Sequence, residues 1–378
     1  MNEPKAIPEP FDPCERAPSY VRSIAPYQPG KPISELAREM GLDEAGIIKL
    51  ASNENPRGAS PLALAAAKAA LEEAGRYPDG NGFELKKTIA SRLGVGMQTV
   101  VLGNGSNDVL ELAAHAFLTP GASAVYSQHA FAVYPLVTQA IGARGIEVAA
   151  RDFGHDLEAM AMAIQDDTRI VFVANPNNPT GTWVAPDGVR RFLRKVPARV
   201  LVVLDEAYSE YLPPAEQADS AGWLREFPNL VVSRTLSKAY GLAGLRIGFA
   251  LAHPQVADLM NRVRQPFNVN SVAQAAAVAA LSDEEFVRQS FELNRAGMQQ
   301  LTQGFEKLGL AWIPSRGNFV SFRAGNAQGV YQGLLRRGVI VRPIGSYGMP
   351  QHLRVTVGLA SENRRFLDAL ATVLSGKS

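Results

Sequence analysis

Over the first two thirds of the chain, short apolar and β-branched runs alternate with longer stretches of helical periodicity. TVVLG (99–103), SAVYS (123–127), RIVFVA (169–174), RVLVVLD (199–205), LVVSR (230–234) and IGFAL (247–251) read as buried strands, several separated by helix-length segments. Ser60 and Pro61 ahead of LALAAAKAALEEA, with Gly75 behind it, supply an N-cap, a proline at the first helical position and a glycine stop. Strands and helices in this alternation predict an α/β fold with a doubly wound sheet. After Asn270 the pattern changes to long helices, VAQAAAVAAL and EEFVRQSFELNRAGMQQLTQGFEKLG, followed by short strands at NFVSFR, VIVRP and LRVTVG. This predicts a smaller α+β domain over 271–378, a large domain over 51–270, and a segment 31–50 that joins the small domain or links to it.

Residues 1–30 form an N-terminal arm. Eight of the 25 prolines fall in the first 32 residues, and proline removes a backbone donor and fixes φ, so the arm is expected to be extended, not a regular helix or central strand. By composition it is either a tail or a strap over a neighbouring surface.

Composition narrows the function classes. A chain of 378 residues, 46% hydrophobic and 20% charged, has ample material for two domains and is not a disordered protein. A formal charge of +2 gives no basic face for nucleic acid. Cys14 is the only cysteine, which excludes an internal disulfide framework and fits a reducing, cytoplasmic setting. The first twenty residues carry Glu3, Glu9 and repeated prolines where a secretory signal needs an apolar run, and the alanine-rich PFNVNSVAQAAAVAAL is too short and too polar to span a membrane, which takes about 18 apolar residues.

Polar clusters fall at the predicted strand ends, where open α/β sheets bind ligands. GNGSND (103–108) opens a helix, so Gly105, Ser106 and Asn107 suit a phosphate, although a capped strand-to-helix turn reads the same way. It is not a dinucleotide fingerprint, because Asp108 stands where the third glycine belongs. NPNNPTG (175–181) is a turn by composition. Asp205 ends an apolar strand and calls for a cationic partner, or acts as a cap or a metal ligand; the five histidines show no ligand spacing near it, so no metal is expected. In SRTLSKAYGLAGLRIGF (233–249), Lys238 is a solvated surface lysine or an amine freed by desolvation for Schiff-base chemistry, with Thr235, Ser237 and Arg246 close by in sequence. Arg342 and Arg354, on two strands of the small domain, make surface salt bridges or clamp a carboxylate or phosphate.

Together, TLSKAYGLAG (235–244), DEAY (205–208), NNPTG (177–181) and the following GLR resemble the fold type I pyridoxal phosphate aminotransferases, and most of all the histidinol-phosphate aminotransferase group. The likeness runs from VRSIAPYQPG (21–30) through LASNENP and RYP to LRVTVG. It implies a large, mostly parallel mixed sheet with a smaller α+β domain, pyridoxal 5'-phosphate as cofactor, and transamination between histidinol phosphate and 2-oxoglutarate in histidine biosynthesis. It also implies roles. Lys238 would form the Schiff base and carry the proton, Asp205 would pair with the pyridine nitrogen, Tyr208 and Asn178 would bond the ring oxygen, and Phe131 would stack on the ring. The phosphate would rest on Ser106, Asn107, Ser237 and Arg246, joined by Tyr77 from the partner subunit of a homodimer, and Gly105 and Thr235 would also bind the cofactor. Arg354, Arg342, Asn178 and Tyr27 would face the substrate, which makes the arm a strap. Phe131 departs from the commoner tyrosine, and Gly317 precedes Asn318 where many relatives have threonine, which touches fine specificity and not the reaction. Because related enzymes share these motifs, a broad aromatic aminotransferase and a threonine-phosphate decarboxylase are alternatives. A non-catalytic cofactor-binding regulator is a further one, which the lack of a helix-turn-helix extension or basic stretch disfavours.

Overall fold

The structure is a computed structural model and describes residues 12–376. A short strand β1 (Ile48–Lys49) precedes seven strands of one sheet, β2 (Val100–Gly103), β3 (Ser123–Ser127), β4 (Arg144–Val148), β5 (Thr168–Ala174), β6 (Leu201–Asp205), β7 (Leu230–Thr235) and β8 (Gly248–Ala252). Their spatial order is 2-8-7-6-5-3-4; β3 to β7 run parallel, and β8 runs against both its neighbours. The result is the α/β fold with a mostly parallel mixed sheet that the alternation predicts.

The strands read as unbroken apolar runs because both faces of the sheet are covered. Along β5, Val171 and Val173 enter the core on one face while Ile170, Phe172 and Ala174 enter the core on the other. The exception is β4, absent from the expected strands: it lies at the sheet edge with mostly exposed side chains, so its sequence RGIEV carries no apolar run.

The second sheet is antiparallel, in the order β12 (Arg342–Pro343), β13 (His352–Thr356), β10 (Phe319–Arg323), β9 (Trp312–Ile313). Helices Glu284–Lys307, Ala327–Leu335 and Ala360–Leu374 cover it around Phe305, Phe322 and Phe366. The segment 31–50 reaches this unit: β1 pairs in parallel with β11 (Val339–Ile340), and Leu36 of helix Ile33–Met40 packs with Leu335 and Ile340. Helix Ser271–Ser282, which the pattern change at 270 assigns to the small domain, lies instead in the core of the large sheet. Its Ala273, Ala276 and Ala277 pack with Ala63 and Ala67 of helix Pro61–Leu71, and such small side chains let two helices approach closely.

Residues 1–11 of the arm lie outside the described residues. From Asp12 the arm makes two single helical turns, Pro13–Arg16 and Ser19–Arg22, where an extended segment was expected; the prolines sit at or before the turn starts, where no helical N–H is lost. Gln139 of the large unit donates to Tyr20 O at 3.2 Å and to Ser23 Oγ at 2.9 Å, so this part of the arm lies on the protein surface as a strap. Among the described residues, no helix is long and apolar enough to cross a membrane.

Phe305 is fully buried and stacks on Phe322 at 4.7 Å. Phe305→Ala should cost about 3–5 kcal/mol in the small unit, through lost burial plus an unfilled cavity, read as a lower urea midpoint. An unchanged midpoint would contradict this packing.

Candidate active site

Four strands of the large sheet deliver their carboxyl ends to one cleft, and the arginine strands of the small sheet close it from the other side. The cavity is about 190 Å³ and is lined by Tyr27, Ser106, Asn107, Phe131, Asn178, Asp205, Tyr208, Thr235, Ser237, Lys238, Arg246, Arg342 and Arg354. Thus thirteen of the fifteen residues selected from the sequence share one space. Gly105 adjoins it. Tyr77 does not: it is 83% exposed and stacks on Phe267, itself 45% exposed, at 4.7 Å.

Asp205 closes β6 and is only 5% exposed. Its Oδ2 accepts from the Tyr134 hydroxyl at 2.9 Å, whereas Oδ1 is buried with no hydrogen bond of ordinary geometry. Burial pushes its pKa up to about 6; the Tyr134 hydroxyl, and after it the Ala207 N–H and the Ser233 hydroxyl nearby, pull the other way without cancelling that. A buried carboxylate with one idle oxygen has room for a cationic N–H.

The Lys238 amine donates to Ser52 O at 3.0 Å and lies 5.9 Å from the centre of the Tyr208 ring. Its pKa is pushed down to about 8, first by burial and then by the Arg354 charge. The Tyr208 hydroxyl accepts from Asn53 at 2.9 Å, and burial raises its pKa to about 12.

An anion cradle lies where the loop after β2 meets the loop before β8. Helix Ser106–Phe117 points its free amides here, and Gly105 holds φ +81, open to a residue without Cβ. A Cβ on Gly105 would stand 2.5 Å from Arg246 Nη2, so the glycine makes room for that guanidinium. Arg246 itself takes a left-handed backbone at φ 58 and donates to Ser237 Oγ at 3.5 Å. Asn107 is in the first helical turn, so the capping alternative for Ser106 or Asn107 falls away: the N-cap is Gly105, with no side-chain cap bond.

Arg342 and Arg354 are direct cross-strand partners between β12 and β13, hence neighbours on one face, and they are 8% and 5% exposed. The surface salt-bridge reading of these two arginines therefore fails. Arg354 donates to Asn178 Oδ1 and to Ala51 O at 2.7 Å, yet its Nε is buried and unpaired. Arg342 donates to Gln28 O and lies 5.4 Å from the centre of the Tyr27 ring, which ties the arm to the cleft. The NPNNPTG turn is held by its own side chains, Asn175 with Val184 and Asn177 with Thr180, which leaves Asn178 for Arg354.

Two side chains that hold this site together, Asn53 and Tyr134, are not among the residues that the sequence singles out. Asn53, in a left-handed conformation at φ 56, joins Tyr208 to Thr356 of β13; an asparagine tolerating φ > 0 in LASNENP was the available signal. Tyr134 reads simply as an apolar position of helix Val133–Ala140, and no sequence signal sets it apart.

Because the folded-state pKa of Lys238 lies below its ordinary 10.5, the protonated amine burdens the fold below about pH 8, and the burden lifts as pH rises towards 10.5. Lys238→Met should make the ligand-free protein about 2 kcal/mol more stable at neutral pH, with the gap closing at high pH in urea titrations. A gap that widened with pH would sink the assignment.

Residues 45–370 match the family model for aminotransferase class I and II. The histidinol-phosphate aminotransferase 2 of Nitrosospira multiformis is 64% identical over 96% of this chain and 92% of its own. That of Methylobacillus flagellatus is 65% identical over 96% and 98%. A crystal structure of histidinol-phosphate aminotransferase from Sinorhizobium meliloti in complex with pyridoxal-5'-phosphate superposes with a TM-score of 0.88 at 28% identity, covering 96% of this chain and 98% of that one. With its cleft built from the same strand ends that the sequence motifs mark, this chain belongs to the class I and II aminotransferases, within their histidinol-phosphate aminotransferase group.

Proposed function

We propose that the protein moves the amino group of histidinol phosphate to 2-oxoglutarate, giving imidazole acetol phosphate and glutamate in histidine biosynthesis, with pyridoxal 5'-phosphate as cofactor. The carrying observation is that one cleft holds a neutral-prone amine, a buried carboxylate with an idle oxygen and two buried arginines on adjacent strands. These residues fit the cofactor. Asp205 Oδ1 suits a protonated ring nitrogen, and the glycine-relieved space before Arg246 suits a phosphate. Bound there, pyridoxal phosphate supplies an aldehyde for amines and a protonated ring that draws off electrons as the substrate Cα loses its proton.

The chain's own residues do the rest. Lys238 would anchor the cofactor through its amine and, once the substrate's amine takes that place, the freed lysine amine would take the proton from the substrate Cα and return it one position away, a task suited to a base with a pKa of about 8. Asp205 keeps the ring nitrogen charged. Tyr208 and Asn178 hold the ring oxygen, and Phe131 covers the ring face. Ser106, Asn107, Thr235, Ser237 and Arg246 bind the phosphate. Arg354 takes the carboxylate of glutamate; with Arg342 and Tyr27 it takes the phosphate of histidinol phosphate. The exposed Tyr77–Phe267 pair, which does not line its own cleft, suits a homodimer in which Tyr77 completes the partner subunit's phosphate site. Among the described residues, no group of acidic, histidine or cysteine side chains is placed to hold a metal. The unpaired, exposed Cys14 fits a cytoplasmic enzyme.

The test is a half-reaction. The cofactor-loaded protein mixed with histidinol phosphate should lose its visible absorption band rapidly and far faster than with phenylalanine. Equal rates with both would make it a broad aromatic aminotransferase, and no change with either would remove the enzyme reading. Arg342→Ala should weaken histidinol phosphate about tenfold, the loss expected for one charge-assisted contact, and leave phenylalanine nearly untouched. Equal losses would reject that division between the two arginines.

A further inference from the structure

We propose that Tyr134 is a positioning residue for the cofactor: its hydroxyl pins Asp205 Oδ2, so that Oδ1 faces the ring nitrogen, while its ring edge backs the stacking side chain Phe131. This rests on the cofactor reading above.

Tyr134 is fully buried, and among the described residues its hydroxyl donates to Asp205 Oδ2 at 2.9 Å. Its ring is held from two sides. It lies parallel to Phe172 of β5, with 4.8 Å between centroids and 5° between planes, and it meets Phe131 edge-on at 5.9 Å and 86°. Its own helical turn is tied by Thr138 Oγ1, which donates to Tyr134 O at 2.8 Å. The phenol therefore has little freedom, and its rigidity passes to both groups expected to grip the pyridine ring, one through a hydrogen bond and one through ring packing.

The bond is also directional. A phenol whose own pKa burial has raised well above the ordinary value donates and does not ionise, so Asp205 accepts at Oδ2 and keeps its second oxygen for another donor. A lone carboxylate could rotate to satisfy either oxygen. With Oδ2 taken, the oxygen left over is fixed in place, and the charge favoured on its partner is positive. The other titratable groups facing Asp205 are Glu206, Tyr208 and Lys238; of these, Glu206 is occupied by Arg234 at 2.8 Å and Ser220 at 2.8 Å.

The experiment loads the holoenzyme with pyridoxal phosphate labelled with ¹⁵N in the ring and follows the nitrogen shift against pH. Tyr134→Phe keeps the ring packing and removes only the donor. The midpoint for ring-nitrogen protonation should fall by about one pH unit, with cofactor release about tenfold faster and kcat reduced more than KM changes. Phe172→Leu, which loosens the stacking but spares the hydroxyl, should lower thermal stability without moving the ¹⁵N midpoint. A wild-type midpoint in Tyr134→Phe, alongside a shifted one in Asp205→Asn, would overturn the role of Tyr134 and leave the cofactor reading intact. A wild-type midpoint in Asp205→Asn would overturn both. Should Tyr134→Phe fail to fold, 3-fluorotyrosine at position 134, a stronger donor of nearly the same shape, should raise the midpoint, and no shift would overturn the assignment.

Discussion

The structure turns on a buried negative charge that is only half satisfied. Asp205 sits at the carboxyl end of the central strand β6, with one oxygen bonded to Tyr134 and the other buried without a hydrogen bond of ordinary geometry, though the Ala207 N–H and Ser233 hydroxyl lie near the carboxylate. Desolvation makes that charge costly, as its raised pKa reports, and a positive partner is the relief that fits. The neighbouring Lys238 does not serve, because it is itself pushed towards neutrality and bonded to Ser52 O. The protein thus holds an acid and a base in one cleft without letting them neutralise each other. Stability is given up for reactivity, as is common where chemistry is done.

The rest of the fold holds this arrangement in place. Parallel strands buried on both faces leave little play at their ends, so Asp205, Thr235 and the loop after β5 keep their spacing. The small unit contributes a different geometry: an antiparallel pair that sets Arg342 and Arg354 directly opposite each other, pointing the same way. Two like charges so placed repel, which suits an anion between them. Among the described residues their side chains donate hydrogen bonds to Gln28 O, Ala51 O and the Asn178 amide oxygen and lie over the Tyr27 and Phe319 rings, none of which carries a formal charge.

The two units meet through polar bridges at the cleft floor. Asn53 bonds both Tyr208 and Thr356, Asn318 donates to Asn53 O at 3.0 Å, and Ser321 Oγ donates to Pro179 O at 2.6 Å. Because these bonds are directional, they fix register between the sheets in a way that apolar contact would not. The arm adds a further tie over Arg342, so this side of the cleft is made from three separate stretches of chain, carrying Tyr27, Asn178 and the two arginines.

Much of this was legible in the sequence by itself. Doubly covered strands announce themselves as apolar runs, and Ser106, Asn107, Asp205, Thr235, Ser237, Lys238 and the two arginines fall at or near the ends of those runs; Tyr27, Phe131, Asn178 and Tyr208 were named only through the family resemblance. The misses share one cause, that local pattern is blind to what packs from far away. The strand β4 has no apolar run because its side chains are mostly exposed, unlike those of β2 at the other edge, which are all buried. Helix Ser271–Ser282 follows the change of pattern in sequence yet packs with Pro61–Leu71, two hundred residues earlier. The burial of Arg342 and Arg354 comes from antiparallel pairing that neither strand encodes alone. Tyr134 looks like any apolar helix position until the fold carries Asp205 to within a hydrogen bond of it, 71 residues away along the chain. Residue type and spacing determined which chemistry the chain carries; only the tertiary structure decided which groups meet, because burial and hydrogen-bond partnership are properties of distance in space, not of order along the chain.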